Sequence, residues 1–211
     1  MEDIPSQQIL AGNGAQLVIT REGQSILGGS FYVSDEIPRV TPFERGLPGQ
    51  HRLNADGKWE LDELLMDERF VAVHIANKGL FVFTACSHAG LINVLTHASM
   101  RFPEIPIHGV LGGFHLAGPT ESIIPDTVEA FAKFNLGLIA AAHCTGWRAT
   151  GALAARFKER VIPSAVGSAS CCEPLQVGAV RLDRGYLPGP LGVRRGDAGR
   201  FNCRSAEPSK T

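Results

Sequence analysis

Phe70-Val71-Ala72-Val73-His74-Ile75-Ala76, Asn77-Lys78-Gly79 and Leu80-Phe81-Val82-Phe83-Thr84-Ala85 follow one another as an apolar run, a glycine-bearing turn and a second apolar run. β-branched and aromatic residues on both sides of such a turn predict a hairpin. Beyond it the texture becomes an alternation. Gly90 to Arg101 has helical spacing, Ile107 to Leu111 reads as a strand, and Ile124 to Phe134 as a helix. Pro125 near the first turn suits a helix start because its missing N–H has no partner there anyway, and Asp126 and Glu129 meet the positive end of the dipole. Leu136 to Ala141 is a further strand, Thr145 to Glu159 a further helix, and Arg160 to Val166 a closing strand. Strand–helix–strand repetition requires crossover connections, so the fold class is α/β with an at least partly parallel sheet.

Outward from this half the signals weaken. Before Phe70, Gln16 to Thr20 and Phe31 to Ser34 are β-like runs, and Glu60 to Glu68 is at best a short acidic amphipathic helix. Three prolines in the thirteen residues from Ile37 to Gly49 predict an extended loop, since proline fixes φ and restricts the residue before it. On the other side, Glu173 to Thr211 is rich in Gly, Pro and Arg, with seven Lys+Arg against four acids and no apolar periodicity. The expected organisation is a domain over residues 1–168 and a disordered, solvated tail over 169–211.

Composition removes several functions. The 211 residues carry 20 Lys+Arg and 21 Asp+Glu, a formal net charge of −1, so nothing drives the chain toward nucleic acid. No apolar run approaches the roughly 18 residues of a membrane span, and Met1-Glu2-Asp3-Ile4-Pro5 lacks a signal-peptide pattern. A soluble cytoplasmic protein is expected, without nucleic-acid or membrane partners. The five cysteines, Cys86, Cys144, Cys171, Cys172 and Cys203, contain no CxxC pair. This argues against a disulfide scaffold and against a thiolate zinc site with paired spacing. Vicinal Cys171-Cys172 reads as small residues near a strand end rather than a redox pair.

Chemistry concentrates at three histidines. His88, His115 and His143 each lie just past a predicted strand, at separations of 27 and 28 residues, about one βα unit each. Ligands of α/β sheets bind at the carboxyl ends of strands. Three neutral imidazoles delivered there suit zinc, iron or nickel. Ser87-His88-Ala89-Gly90 and His143-Cys144-Thr145-Gly146 each lead into a predicted helix, whose free N–H groups favour anions. Ser87, Gly90, Thr145, Gly146 and Arg148 are therefore the candidate anion-binding residues. His51, His74, His97 and His108 have no partner at ligand spacing and read as loop, packing or surface residues. No GxxxxGKS/T, GxGxxG or GxSxG pattern occurs.

Thr84-Ala85-Cys86-Ser87-His88-Ala89-Gly90, Gly112-Gly113-Phe114-His115-Leu116 and His143-Cys144-Thr145-Gly146-Trp147 resemble the later motifs of the metallo-β-lactamase-fold superfamily. The branch they resemble is that of the archaeal dihydropterin–ribofuranosylaminobenzene-phosphate synthase, and the loop from Ile37 to Glu44 and the segment from Val161 to Gly167 look like that branch too. The resemblance covers roughly residues 10–168. It implies an αββα sandwich with one or two divalent ions, usually zinc, between its sheets. Carried over by residue, His88 and His143 match metal ligands. His115 matches a position often held by a bridging Asp, and is either a third ligand or a catalytic residue that contacts substrate or donates a proton. The implied activity is a metal-dependent hydrolysis or group transfer.

The resemblance also sets a second expectation. The superfamily carries an HxHxDH motif in its first half, and this chain has no HxH. The sequence therefore reads as a partial sandwich, truncated or incompletely represented, that lacks much of the first half and exposes a sheet face capable of self-association. Two functions compete with the enzyme, which would take a small anionic substrate, phosphorylated or pterin-like. One is a catalytically inactive remnant that binds metal or anion. The other is a metal-free phosphate-binding α/β module.

Overall fold

The computed structural model describes residues 5–165. The expected tail over 169–211, with Cys171, Cys172 and Cys203, lies outside the described residues, as does the domain boundary at 168. In chain order the regular elements are α1 (Gln7–Gly12), β1 (Gln24–Ile26), β2 (Phe31–Val33), β3 (His51–Leu53), β4 (Trp59–Leu61), β5 (Phe70–Ile75), β6 (Gly79–Thr84), α2 (Leu91–Arg101), β7 (Ile107–Gly113), α3 (Ile124–Phe131), β8 (Leu138–Ala142), α4 (Trp147–Phe157) and β9 (Val161–Pro163), with short 3-10 turns between them.

Seven strands form one mixed sheet in the order β1-β2-β5-β6-β7-β8-β9, and β3 and β4 form a separate hairpin. The expected hairpin is β5 and β6, antiparallel with Val73 opposite Phe81. From β6 onward the pairing is parallel, through β7, β8 and β9. Helices α2, α3 and α4 are the three crossovers, as the alternation predicted.

Strand periodicity separates the two faces of the sheet. Phe70, Ala72, Leu80, Val82, Val110 and Ile139 point to one side and join Leu91, Leu95, Phe131 and Leu153 of the helices in the main core. On the other side Val73, Ile75 and Phe81 form a smaller cluster with Phe31, Phe83 and Leu138. The described residues therefore supply one helix layer and one large sheet of the α/β arrangement. Leu111, on that second side, is 39% exposed.

Two expectations fail in the N-terminal part. Residues 15–20 form no strand, and Val18 and Ile19 are exposed. β propensity without a partner strand to pair with does not hold a strand. The expected acidic helix over Glu60 to Glu68 is also absent. The Asn54 side chain accepts from the Asp56 and Lys58 N–H groups, both at 3.0 Å. This turn pairs β3 with β4 and draws Glu60 and Leu61 into a strand.

The proline-rich loop is extended as expected, and it has a structural task. Buried Glu44 accepts from the N–H groups of Ile92 at 2.7 Å and Asn93 at 2.9 Å, in the first turn of α2. Asn93 answers by accepting from Val40 and Thr41 N–H, both at 2.9 Å. The loop is thus strapped across the start of α2. Among the described residues no helix is long and apolar enough to cross a membrane.

Candidate metal and substrate site

The three parallel strands β6, β7 and β8 end side by side, and each runs into a turn that carries one expected histidine. These turns are stitched together by polar groups. Ser87 donates through Oγ to the Gly113 carbonyl at 2.8 Å and lies 2.9 Å from Thr84 Oγ1. Gly113 N–H donates back to the Ala85 carbonyl at 2.9 Å. Gly112 has a φ of +146°, and a Cβ there would strike the Thr84 carbonyl, so only glycine fits this crossing. Ser87 (φ 58°) and His115 (φ 44°) both occupy the left-handed region, where a non-glycine residue costs about 1–2 kcal/mol.

His88 is held by an acid from the segment before β5. Glu68 accepts from His88 N–H at 2.9 Å and Ala89 N–H at 2.5 Å, and its Oε1 lies 3.9 Å from His88 Nδ1. The His88 ring meets that of His115 edge to face, with centroids 4.5 Å apart. Burial first, and the neighbouring His88 second, lower the His115 pKa from its ordinary value, which favours the neutral imidazole that a metal requires. His115 Nδ1 is buried without a hydrogen-bond partner.

His143 turns elsewhere. Its exposed ring places Nε2 3.0 Å from Cys86 Sγ. Cys144 accepts from His115 N–H at 3.3 Å and points its Sγ at the Cys86 carbonyl at 3.5 Å. Burial raises the Cys144 thiol to about 11. Gly113 sits beneath this group: a Cβ built on it would lie 2.5 Å from Cys144 Sγ and 2.7 Å from His143 Nε2. Among the described residues, the metal-capable side chains whose ligand atoms all lie within 4.8 Å of one another are Cys86, His143 and Cys144. The expected set of His88, His115 and His143 is divided between an imidazole pair and this thiol–imidazole group.

The expected anion-binding residues also have other tasks. Gly90 opens α2, but the start of that helix already holds the Glu44 carboxylate, against which a Cβ at Gly90 would collide. Burial pushes the Glu44 pKa up, opposed by the two helix N–H groups. Ser87 is 2% exposed and fully engaged in the turn. Thr145 is buried and accepts from Phe114 N–H at 3.1 Å, so α4 begins two residues later than expected. Arg148 holds Glu121 with both carboxylate oxygens, at 2.9 and 2.8 Å, and covers the Trp147 ring. Gly146 opens α4 with a φ of 77°.

Sequence reasoning missed Glu44, Glu68, Cys86 and Cys144. The two cysteines are 58 residues apart, so a search for local pairs passes over them. The available signal was positional: each cysteine flanks an expected histidine at a strand end. His88 and His115, with Glu44, Arg45, Phe43 and Asp126, line a cavity of about 560 Å³.

No family model matches the chain. It is 26% identical over 148 residues to a 7,8-dihydropterin-6-methyl-4-(beta-D-ribofuranosyl)-aminobenzene-5'-phosphate synthase of Methanocaldococcus jannaschii, covering 69% of this chain and 49% of that protein. An uncharacterized protein of the same organism is 34% identical over 117 residues, covering 56% of this chain and 41% of the relative. The chain thus spans about half the length of the curated relatives it matches. The crystal structure of a metal-dependent hydrolase of the beta-lactamase superfamily superposes with a TM-score of 0.62 and 26% identity, covering 74% of this chain and 58% of the other. The architecture is that of the metallo-β-lactamase fold, and the sequence is similar to the synthase branch that its motifs suggested.

Proposed function

We propose, from this metallo-β-lactamase-type architecture, that the chain contributes the second half of a metal-dependent hydrolase or transferase site for a small, phosphorylated or pterin-like anion. The observation that carries the reading is the His88–His115 pair on the wall of a cavity of about 560 Å³, at the carboxyl ends of parallel strands. The donor chemistry fits a divalent cation. His115 has a lowered pKa and an orphaned buried Nδ1, and His143 presents Nε2 beside a thiol. His88 and His115 are the paired imidazoles that would hold it, with His143 lying in the separate thiol–imidazole group, and a bound divalent ion such as zinc would supply a Lewis acid that polarises a substrate oxygen.

The chain's own groups do the remainder. In the alternative where His115 is not a ligand, its neutral imidazole is the group that takes or returns a proton. Arg45, on the cavity lining, offers a cation to an anionic substrate, while Phe43 offers an apolar face to a flat ring. Glu68 fixes the His88 turn by accepting both N–H groups, so the imidazole does not wander. Free thiols at Cys86 and Cys144 accord with a reducing, cytoplasmic setting.

Purified protein tests this directly through metal content and metal-dependent turnover of phosphoester, lactone and thioester substrates. His88→Ala is expected to lower turnover by more than the roughly 10–100-fold that loss of an outer-sphere partner costs. Near-stoichiometric metal unchanged in both His88→Ala and His143→Ala would overturn the reading. Metal uptake without turnover would instead support the inactive metal-binding remnant. At the start of α2 the metal-free phosphate module is disfavoured by Glu44 and Glu68, which occupy the backbone donors there, leaving it the start of α4, and chelator-insensitive phosphate binding would favour it.

A further inference from the structure

We infer that Cys86, His143 and Cys144 form a thiolate-rich metal site of their own, suited to zinc or another thiophilic divalent cation, with an open fourth position. Three observations converge on it. The ligand atoms already lie within 4.8 Å of one another, close enough for a single ion to draw all three inward. They come from two strand ends fixed by the parallel β6–β7–β8 ladder and by Ser87 and Gly113, so the group does not depend on a wandering loop. A supporting donor is also in place: His115 N–H points at Cys144 Sγ from 3.3 Å, the kind of backbone contact that steadies a metal-bound thiolate.

Two cysteines and one histidine with a vacant position make a recognised catalytic zinc donor set, softer than three imidazoles. On binding, each thiol loses its proton to solvent and its sulfur lone pair goes to the cation, so the step needs no oxidant. The same two sulfurs joined as a disulfide is the competing fate, which reducing conditions prevent. The site is separate from the imidazole pair of the proposed function and does not require that function to be correct.

Cobalt(II) provides the test, because thiolate-to-cobalt charge transfer produces a near-ultraviolet band that imidazole ligation does not. The full chain carrying Cys171→Ser, Cys172→Ser and Cys203→Ser, under reducing conditions, removes the other thiols. The expected result is a saturable band of tetrahedral cobalt at one equivalent, its intensity falling by about half in Cys86→Ser and in Cys144→Ser, one of two thiolates being lost in each. His88→Ala should leave the band in place. Zinc should displace the cobalt and protect both cysteines from alkylation. Absence of the thiolate band in the parent protein overturns the inference whatever the variants do, even where metal-dependent turnover is found. A band without turnover supports the site while removing the enzymatic reading. Loss of the band in His88→Ala, with circular dichroism unchanged, would also overturn it by making the imidazole pair the real anchor.

Discussion

Helices α2 and α4 follow the parallel strands β6 and β8, which flank β7, and each begins at a glycine of positive φ, 94° at Gly90 and 77° at Gly146. Their first turns are completed differently. At α2, buried Glu44 from the proline-rich loop accepts two helix N–H groups, and Glu68 accepts the two N–H groups of the turn just before it. At α4, among the described residues, no side chain accepts from the N–H groups of Trp147, Arg148 or Ala149, and the Trp147 ring is 77% exposed. The contrast shows that a strand–turn–helix pattern is no guarantee of an anion site. What decides is whether the rest of the chain has already placed a carboxylate there. In this protein the N-terminal loops close one start and leave the other free.

Four measurements would break or sharpen this contrast. The largest effect is expected from Glu44→Ala, which strands two buried backbone donors and frees the loop. A loss of about 2–4 kcal/mol in denaturant unfolding is expected, and an unchanged midpoint would mean that α2 is not closed by this acid. Glu68→Ala should cost less, about 1–2 kcal/mol, and should leave the His88 backbone amide exchanging faster with deuterium.

The third effect is one of pH. Burial lowers the His97 pKa below 6.5 despite Asp35 at 2.9 Å, so the unfolded chain binds the proton more readily. Stability should therefore fall as the pH drops below about 6.5, and thermal unfolding of His97→Gln should lose that component of the slope. Glu44 has the opposite sign. Its raised folded pKa means that stability falls as pH rises above the 4.5 of a free carboxyl, a component absent in Glu44→Gln. The smallest effect is expected at α4, where the Arg148–Glu121 pair is exposed. Arg148→Ala should change stability by no more than about 0.5 kcal/mol, and a large loss would show that the open helix start is more tightly built than it looks.

The half of the fold that was legible in the sequence is the half with long, locally consistent periods. The β5–β6 hairpin and the α2, α3 and α4 crossovers each declare themselves within a dozen residues or so. The first 69 residues hold strands of three residues, too short for any period, whose existence depends on pairing with β5 or with each other. The site divides in the same way. His88, His115 and His143 were visible because each terminates a strand, but their partners are set by tertiary structure. Glu44 reaches its helix across 48 residues and Cys144 reaches Cys86 across 58, distances at which no local pattern operates.

The missing side chain at Gly113 has a consequence of its own. Nothing in its backbone torsions demands glycine; only the room is lacking, because Cys144 Sγ and the His143 ring rest directly against its α-carbon. An alanine here would act as a wedge, tilting the exposed imidazole outward and pressing on the half-buried Cys144 thiol. Such a replacement would detune the donor trio without altering any of its atoms.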